Sequence, residues 1–197
     1  MSDISFEDRT VIVTGAGNGL GKAYAIELGN RGAKVVVNDL GGSVDGSGSG
    51  STPADEVVNE IIANGGEAVA NYDSVATKDG GEAIVQTAID NFGTVDAVIN
   101  NAGILRDKSF AKLSEEELSL VIDVHLKGAF FVSQPAFKVM KEKNYGRIVN
   151  VASPSGLFGN FGQSNYGAAK MGIVGLTNVL AIEGAKNNIK VNVIAPT

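Results

Sequence analysis

The sequence predicts an α/β fold, a doubly wound parallel sheet covered by helices on both faces. Six short β-branched runs carry the prediction: "RTVIVT" (9–14), "AKVVVN" (33–38), "EAVANY" (67–72), "VDAVIN" (95–100), "GRIVNVA" (146–152) and "IKVNVIA" (189–195). Several are apolar on both faces, as strands buried under two layers of helix must be. The second observation is local. The first run passes through a glycine-rich turn, "TGAGNGLG" (14–21), straight into a helical pattern, the opening of a nucleotide-binding βαβ unit.

Between the strands lie helical stretches at 19–31, 53–64, 79–92, about 114–143 and about 163–187. "SEEE" (114–117) reads as a capping box, because Ser114 can bond the amide of Glu117 while Glu117 reaches back. Right-handed crossovers between parallel strands then give a Rossmann-type sheet of order 3-2-1-4-5-6. No internal boundary or short repeat interrupts residues 1–197, so a single domain is expected. One segment breaks the rhythm. "GGSVDGSGSGSTP" (41–53) reads as a flexible surface insert, with a loop flanking a nucleotide as the alternative.

Composition excludes several classes of function. Apolar residues make up 44% and charged residues 19%, the balance of a packed globular domain. With 22 acidic against 16 basic residues and a net charge of −6, neither nucleic acid nor an anionic membrane is the expected partner. There is no cysteine and a single histidine, His125, so disulfides, thiolate catalysis and Cys- or multi-His metal sites are all out. The acidic start "MSDISFEDRT" is unlike a signal peptide, and a cytoplasmic setting is the default.

The glycine turn has a chemical purpose. A pyrophosphate at a helix N-terminus needs backbone N–H groups unobstructed by side chains, and Gly15, Gly19 and Gly21 are spaced to allow it. Asp39 ends the second strand, where a carboxylate accepts hydrogen bonds from both ribose hydroxyls of an adenosine and repels a 2′-phosphate. No Lys or Arg lies between residues 35 and 77, so NAD is expected over NADP. A plain strand-end turn aspartate is the alternative. Asp73, after the third strand, is placed to meet an adenine amino group.

Farther along, Tyr166 and Lys170 stand four apart and share one helix face. A free phenol stays protonated at neutral pH, and an ammonium one turn away stabilises the phenolate, making Tyr166 a usable general acid and base. Ser153 falls at the carboxyl end of the fifth strand, the edge where doubly wound sheets bind ligands. "GLFGNFG" (156–162) offers Phe158 and Phe161 either to an apolar substrate pocket or to the core.

Taken in order, "TGAGNGLG" (14–21), "NNAG" (100–103), Ser153 and "YGAAK" (166–170) resemble the motifs of the short-chain dehydrogenase/reductases, including the thirteen-residue step from Ser153 to Tyr166. The resemblance implies a catalytic Ser153, Tyr166 and Lys170. It also implies a cofactor site of Gly15, Asn18, Gly19, Leu20, Gly21, Asp39, Asp73, Ser74, Val75, Asn100, Ala102, Gly103, Tyr166 and Lys170, with Thr14 bracing the turn. "VVVNDLGG", "NNAGILRDKSF", "VIDVHLKGAFF" and "YGRIVNVASPSGLFGNFGQSNY", with the Gly/Ser insert, are similar to the (3R)-hydroxyacyl-CoA dehydrogenase modules of multifunctional β-oxidation enzymes. By that likeness the substrate is an acyl-CoA thioester and the assembly a homodimer or homotetramer. The location becomes peroxisomal if the chain belongs to a eukaryotic multifunctional enzyme.

His125 departs from the asparagine usual in the wider family. The subgroup implies that it takes that residue's place in a water-linked proton relay to Lys170; an ordinary helix histidine is the alternative. The family also continues past the position of Thr197 with a substrate-covering segment and a seventh strand, so a C-terminally longer natural chain is expected. Rival functions are a 3-ketoacyl-carrier or other carbonyl reductase, and a catalytically silent nucleotide-binding module.

Overall fold

All six expected strands form, and they pair in the expected order. The computed structural model describes residues 4–43, 45–48 and 50–197. Strands β1 (Thr10–Thr14), β2 (Lys34–Asn38), β3 (Glu67–Asn71), β4 (Ala97–Asn100), β5 (Gly146–Val151) and β6 (Ile189–Ile194) make one sheet of order β3-β2-β1-β4-β5-β6. Every neighbouring pair is parallel. The register explains why the strands read as apolar throughout. Side chains alternate between faces, so Ile12, Val36, Val98 and Ile148 pack with one set of helices, while Val11, Val13, Val35 and Val37 pack with the other.

Helices α1 (Gly19–Asn30) and α2 (Thr52–Ala63) cover the second face through Ala25, Ala54, Val57 and Ile61. On the first face lie α3 (Lys78–Phe92) and α5 (Gly128–Lys143), contributing Ile84, Val85, Val132, Ala136 and Met140. Helix ends follow local chemistry. Thr77 caps α3 by accepting the amide of Gly80 at 3.1 Å, and Gly93 closes it at φ 77°. The Ser114–Glu117 capping box forms at the start of α4 (Glu115–Ile122).

The single helix expected over about 114–143 is instead α4, a π-helical turn at Asp123–Lys127, and α5. A π turn inserts one residue into the helical repeat, and such insertions concentrate at functional sites; this one carries His125. After β5 come a short helix α6 (Pro154–Phe158) and the long α7 (Ser164–Gly184). The Gly/Ser segment 41–53 is also more than a structureless insert. Gly50 N donates to Leu40 O at 2.9 Å, Ser43 N to Ser47 O at 2.8 Å and Gly46 N to Ser43 O at 2.8 Å. Backbone groups of this loop bond one another because no side chain at its glycines keeps them apart. Val44 and Ser49 lie outside the described residues.

The carboxyl edge of the sheet is a row of amides. Thr14, Asn38 and Asn71 stand in register across β1, β2 and β3, and Asn100 faces Asn150 across β4 and β5. Asn38 Nδ2 donates to Asn71 Oδ1 at 2.8 Å. Asn100 Nδ2 donates to Asn150 Oδ1 at 2.7 Å and to Ser133 Oγ at 2.8 Å, and Asn150 Nδ2 donates to Thr177 Oγ1 at 2.9 Å. All of these side chains are buried, and the bonds among them offset most of the cost of burying their polar groups.

At the opposite edge, Asp96 does comparable work with charge. It accepts the Thr10 amide at 2.9 Å and the Lys143 ammonium at 2.6 Å, with the Arg9 guanidinium at 3.8 Å. One carboxylate thus ties β1, the entry to β4 and the end of α5. Asp96→Ala leaves a half-buried ammonium and a buried amide without their acceptor, and the expected loss is about 3 kcal/mol. Urea denaturation at neutral pH measures it, and a loss under about 1 kcal/mol contradicts the assignment.

Candidate active site

The glycine turn is held by close backbone packing. A Cβ on Gly15 would lie 2.7 Å from Ala102 Cα, and one on Gly21 would lie 2.1 Å from Gly15 O. Gly15 and Gly19 adopt φ 62° and 56°, and around Gly19 the space for a side chain is open. Gly17 is pinched as well, its missing Cβ falling 2.7 Å from Pro53 and 2.9 Å from the Asp39 carboxylate. Asp39 receives the Gly17 amide on Oδ2 at 2.8 Å and the Gly41 amide on Oδ1 at 2.7 Å. The carboxylate therefore braces the turn through two backbone amides.

The turn is sewn to β4. Thr14 Oγ1 accepts the amides of Asn101 and Ala102, each at 3.1 Å, and Asn101 Nδ2 returns bonds of 3.0 Å to the carbonyls of Thr14 and Gly15. Thr14 thus braces the turn as expected, with Asn101 as its partner. Asn100, next in line, points into the sheet network described above. Asn18 and Leu20 are exposed at the start of α1. Past β3, the Asp73 carboxylate accepts from Asn71 Nδ2 at 2.7 Å, and Ser74 Oγ accepts the Ala76 amide at 3.2 Å. Val75 is buried in the main core and lines the small cavity that His125 and Lys170 share.

Helix α7 brings the remaining groups to the same edge. Lys170 is buried at 3% exposure and donates to Val151 O at 2.6 Å. Its Nζ lies 5.4 Å from the centroid of the Tyr166 ring. Burial lowers the lysine to about 8, so it remains mostly protonated at neutral pH. Ser153 caps α6, accepting the Ser155 amide on Oγ at 3.2 Å, which leaves its hydroxyl hydrogen free to donate. His125 meets Tyr166 edge-on, with centroids 5.1 Å apart and planes at 89°. Its Nε2 lies 3.0 Å from the amide of Ile104 and 2.8 Å from the same residue's carbonyl. Nε2 is therefore satisfied in either neutral tautomer, and Nδ1 in neither.

Thr14, Asn100, His125 and Lys170 line one small cavity beneath the tyrosine. Asn100 Oδ1 and His125 Nδ1, both buried, find no protein partner there. Gly103 is required beside them, because a Cβ would fall 2.4 Å from His125 Cε1. Phe158 and Phe161 are exposed at 86% and 90%, which rules out the core alternative for both. A cleft of about 590 Å³ lies at the other end of the sheet beside Glu7, Arg31 and Glu67. It holds neither the glycine turn nor the tyrosine–lysine pair.

The fold and this constellation define a nicotinamide-dependent dehydrogenase class. The family model for short chain dehydrogenases matches residues 9–197, and the chain belongs to that family of oxidoreductases, whose dehydrogenases use NAD or NADP. It is 61% identical over 194 residues to the peroxisomal hydratase-dehydrogenase-epimerase of Saccharomyces cerevisiae, covering 98% of this chain and 21% of that protein. To the peroxisomal multifunctional enzyme type 2 of Mus musculus it is 57% identical over 195 residues, covering 99% of this chain and 26% of the relative. The chain thus spans between a fifth and about a quarter of these relatives' length. The crystal structure of a short chain dehydrogenase from Mycobacterium avium superposes with a TM-score of 0.90 at 48% identity, over 96% of this chain and 68% of that one.

Sequence reasoning missed Asn101, Gly17 and Ile104. The first two sit inside motifs already singled out, so their presence was visible and their roles were not. Ile104 acts through its backbone, which leaves no signal in residue type. No helix of the described residues is long and apolar enough to cross a membrane, and no group of acidic or histidine side chains among them could hold a metal.

The state of His125 has a measurable consequence. Burial, then the charge of Lys170, push the imidazole down to about 3. Between about pH 3 and 6.5 the unfolded chain takes up a proton that the folded chain refuses, so stability falls as pH drops through this window. Lys170 and Tyr166 are the titratable groups facing the ring. His125→Asn removes this contribution. The slope of unfolding free energy against pH, measured between about pH 4 and 6, should flatten by up to about 1.4 kcal/mol per pH unit. Equal slopes contradict a buried neutral imidazole.

Proposed function

We propose that this chain oxidises (3R)-3-hydroxyacyl-CoA thioesters to their 3-ketoacyl forms with NAD, through Ser153, Tyr166 and Lys170. The observation that carries the reading is the placement of a buried ammonium 5.4 Å from the Tyr166 ring, one helical turn away. An isolated phenol is a poor base, and a fixed positive charge in a low-dielectric site stabilises its phenolate.

The residues present fit a dinucleotide. Helix α1 carries no side-chain cap at Asn18 and no acidic residue in its first turn, so its free N–H groups and positive dipole end are available to a pyrophosphate. Gly19 leaves the approach open. Asp39 holds two backbone amides and retains lone pairs for ribose hydroxyls, and its charge opposes a 2′-phosphate. When bound, the nicotinamide supplies the hydride acceptor for the carbinol carbon.

The chain's own groups do the rest. Ser153 Oγ–H and Tyr166 Oη hold the substrate hydroxyl, and Tyr166 takes its proton. Lys170 keeps the phenolate stable from its seat on Val151 O. His125, neutral and clamped by Ile104, serves as a positioning group with Nδ1 turned toward the cavity shared with Lys170; its Nε2 meets only backbone. The exposed Phe158 and Phe161 offer an apolar surface to an acyl chain. Exposed Phe130 on α5 and Met171, Val179 and Ile182 on α7 support a homodimer built on these two helices. The names of the two multifunctional relatives support a peroxisomal setting if the chain is part of such an enzyme, and a cytoplasmic one otherwise.

Tyr166→Phe keeps the ring and deletes the proton. With a panel of 3-hydroxyacyl-CoA substrates, kcat should fall about 1,000-fold or more while NAD affinity stays within about threefold. NAD should also titrate at least tenfold tighter than NADP in the unmodified protein. A Phe variant that keeps substantial turnover contradicts the role of Tyr166, and equal affinities contradict that of Asp39.

A further inference from the structure

Residues 41–43, 45–48 and 50 follow β2 beside the glycine turn, and Gly46 among them lies against Ile104, next to the tyrosine end of the same carboxyl edge. At the base of this loop, Asp39 Oδ1 accepts the Gly41 amide at 2.7 Å, and Gly41, at φ 74°, packs so tightly that a Cβ would lie 1.7 Å from Gly50 O. Toward the tip, Asp45 Oδ1 accepts from Ser47 Oγ at 2.7 Å and Ser47 N at 2.9 Å. These bonds, and then the nearby charge of Arg106, hold the Asp45 carboxyl below its usual range.

Gly46 is the point of contact. A Cβ there would lie 3.1 and 3.2 Å from Ile104 Cδ1 and Cγ2, and 3.6 Å from Leu120 Cδ2. Ile104 belongs to a small apolar cluster with Val121 and Ala169, against which Tyr166 packs. The backbone of the same Ile104 meets His125 Nε2 through both its N–H and its C=O. His125 in turn sets its ring edge-on against Tyr166. One continuous set of contacts therefore joins the Asp39 carboxylate to the tyrosine ring.

We propose that the described part of this loop, residues 41–43, 45–48 and 50, is a positioning element for the catalytic centre, with Gly46 as the residue that seats Ile104 against His125. The loop's seat is set at one end by Asp39 and read out at the other as the packing of His125 on Tyr166. This role rests on the assignment of Tyr166 as the acid/base.

The loop contains its own control. Gly48 has φ 76°, close to the 83° of Gly46, and nothing lies within 4 Å of its missing Cβ. Gly46→Ala and Gly48→Ala thus carry similar backbone strain, and only the first pushes on Ile104. In the full-length enzyme, Gly46→Ala should lower kcat about tenfold with NAD affinity within about twofold, and Gly48→Ala should leave both within about twofold. Adding Ile104→Val removes the nearer of the two crowded methyls, Cδ1, and should recover at least about a threefold part of the lost kcat. The proposal is overturned by an unchanged kcat in Gly46→Ala, by equal losses in both glycine variants, by an effect confined to KM, or by failure of Ile104→Val to rescue. A parallel Tyr166→Phe assay separates the two claims. A dead Phe variant beside an unaffected Gly46→Ala sinks only the loop's role, and an active Phe variant sinks the acid/base assignment itself.

Discussion

The hydroxyl of Thr14 joins the two halves of the sheet at the place where function needs them joined. A doubly wound sheet reverses its direction of growth between β1 and β4, and the crevice left there is where such folds bind ligands. Left alone, the chain ends on either side of the crevice would be independent loops. Thr14 accepts two amides from the segment after β4, and Asn101 returns two bonds to the carbonyls of the glycine turn. The four bonds set how closely Gly15 approaches Ala102, and that approach excludes any Cβ. They also set the path of residues 101–104, which delivers the Ile104 backbone to His125.

Much of this was legible because it is local in sequence. The strand–turn–helix of residues 10–21, the i,i+4 spacing of Tyr166 and Lys170 and the alternating apolar runs each depend on neighbours only a few residues away. Asn101 was not legible, because two adjacent asparagines are chemically alike and only the pleat decides which one turns to the glycine turn. The π turn at Asp123–Lys127 escaped for a related reason: one inserted residue barely disturbs a helical period. Tertiary context also decided the Gly/Ser segment. Its composition favours chain freedom, yet the same lack of side chains lets its backbone fold onto itself and its tip reach Ile104. Phe158 and Phe161 look like core residues in composition and lie almost wholly outside it.

The site is assembled from groups that a stability-optimised core would not contain. Lys170 is buried with one carbonyl for company, and His125 is buried with one nitrogen unpaired by protein. Burial works on both in the same direction, lowering the lysine to about 8 and the histidine to about 3. The consequences differ. The lysine stays largely charged at neutral pH, as stabilisation of a phenolate requires, whereas the histidine stays neutral, with one nitrogen held by backbone and the other facing the cavity it shares with Lys170. The amide row along the carboxyl edge pairs most of its own donors and acceptors and ties β4 to β5 through Asn100 and Asn150, with Asn100 Oδ1 left facing the cavity.

Thr14→Val isolates the hydroxyl of the junction, since it replaces the one accepting oxygen with a methyl group and leaves the side chain's branching in place. NAD affinity of the purified variant, measured by titration beside its urea stability, separates a local effect from general unfolding. NAD binding should weaken about tenfold or more in a folded protein that has lost about 1–3 kcal/mol, the cost of leaving two part-buried amides without their acceptor. NAD binding unchanged in a folded variant would contradict this, because the glycine turn would then hold its shape without the junction.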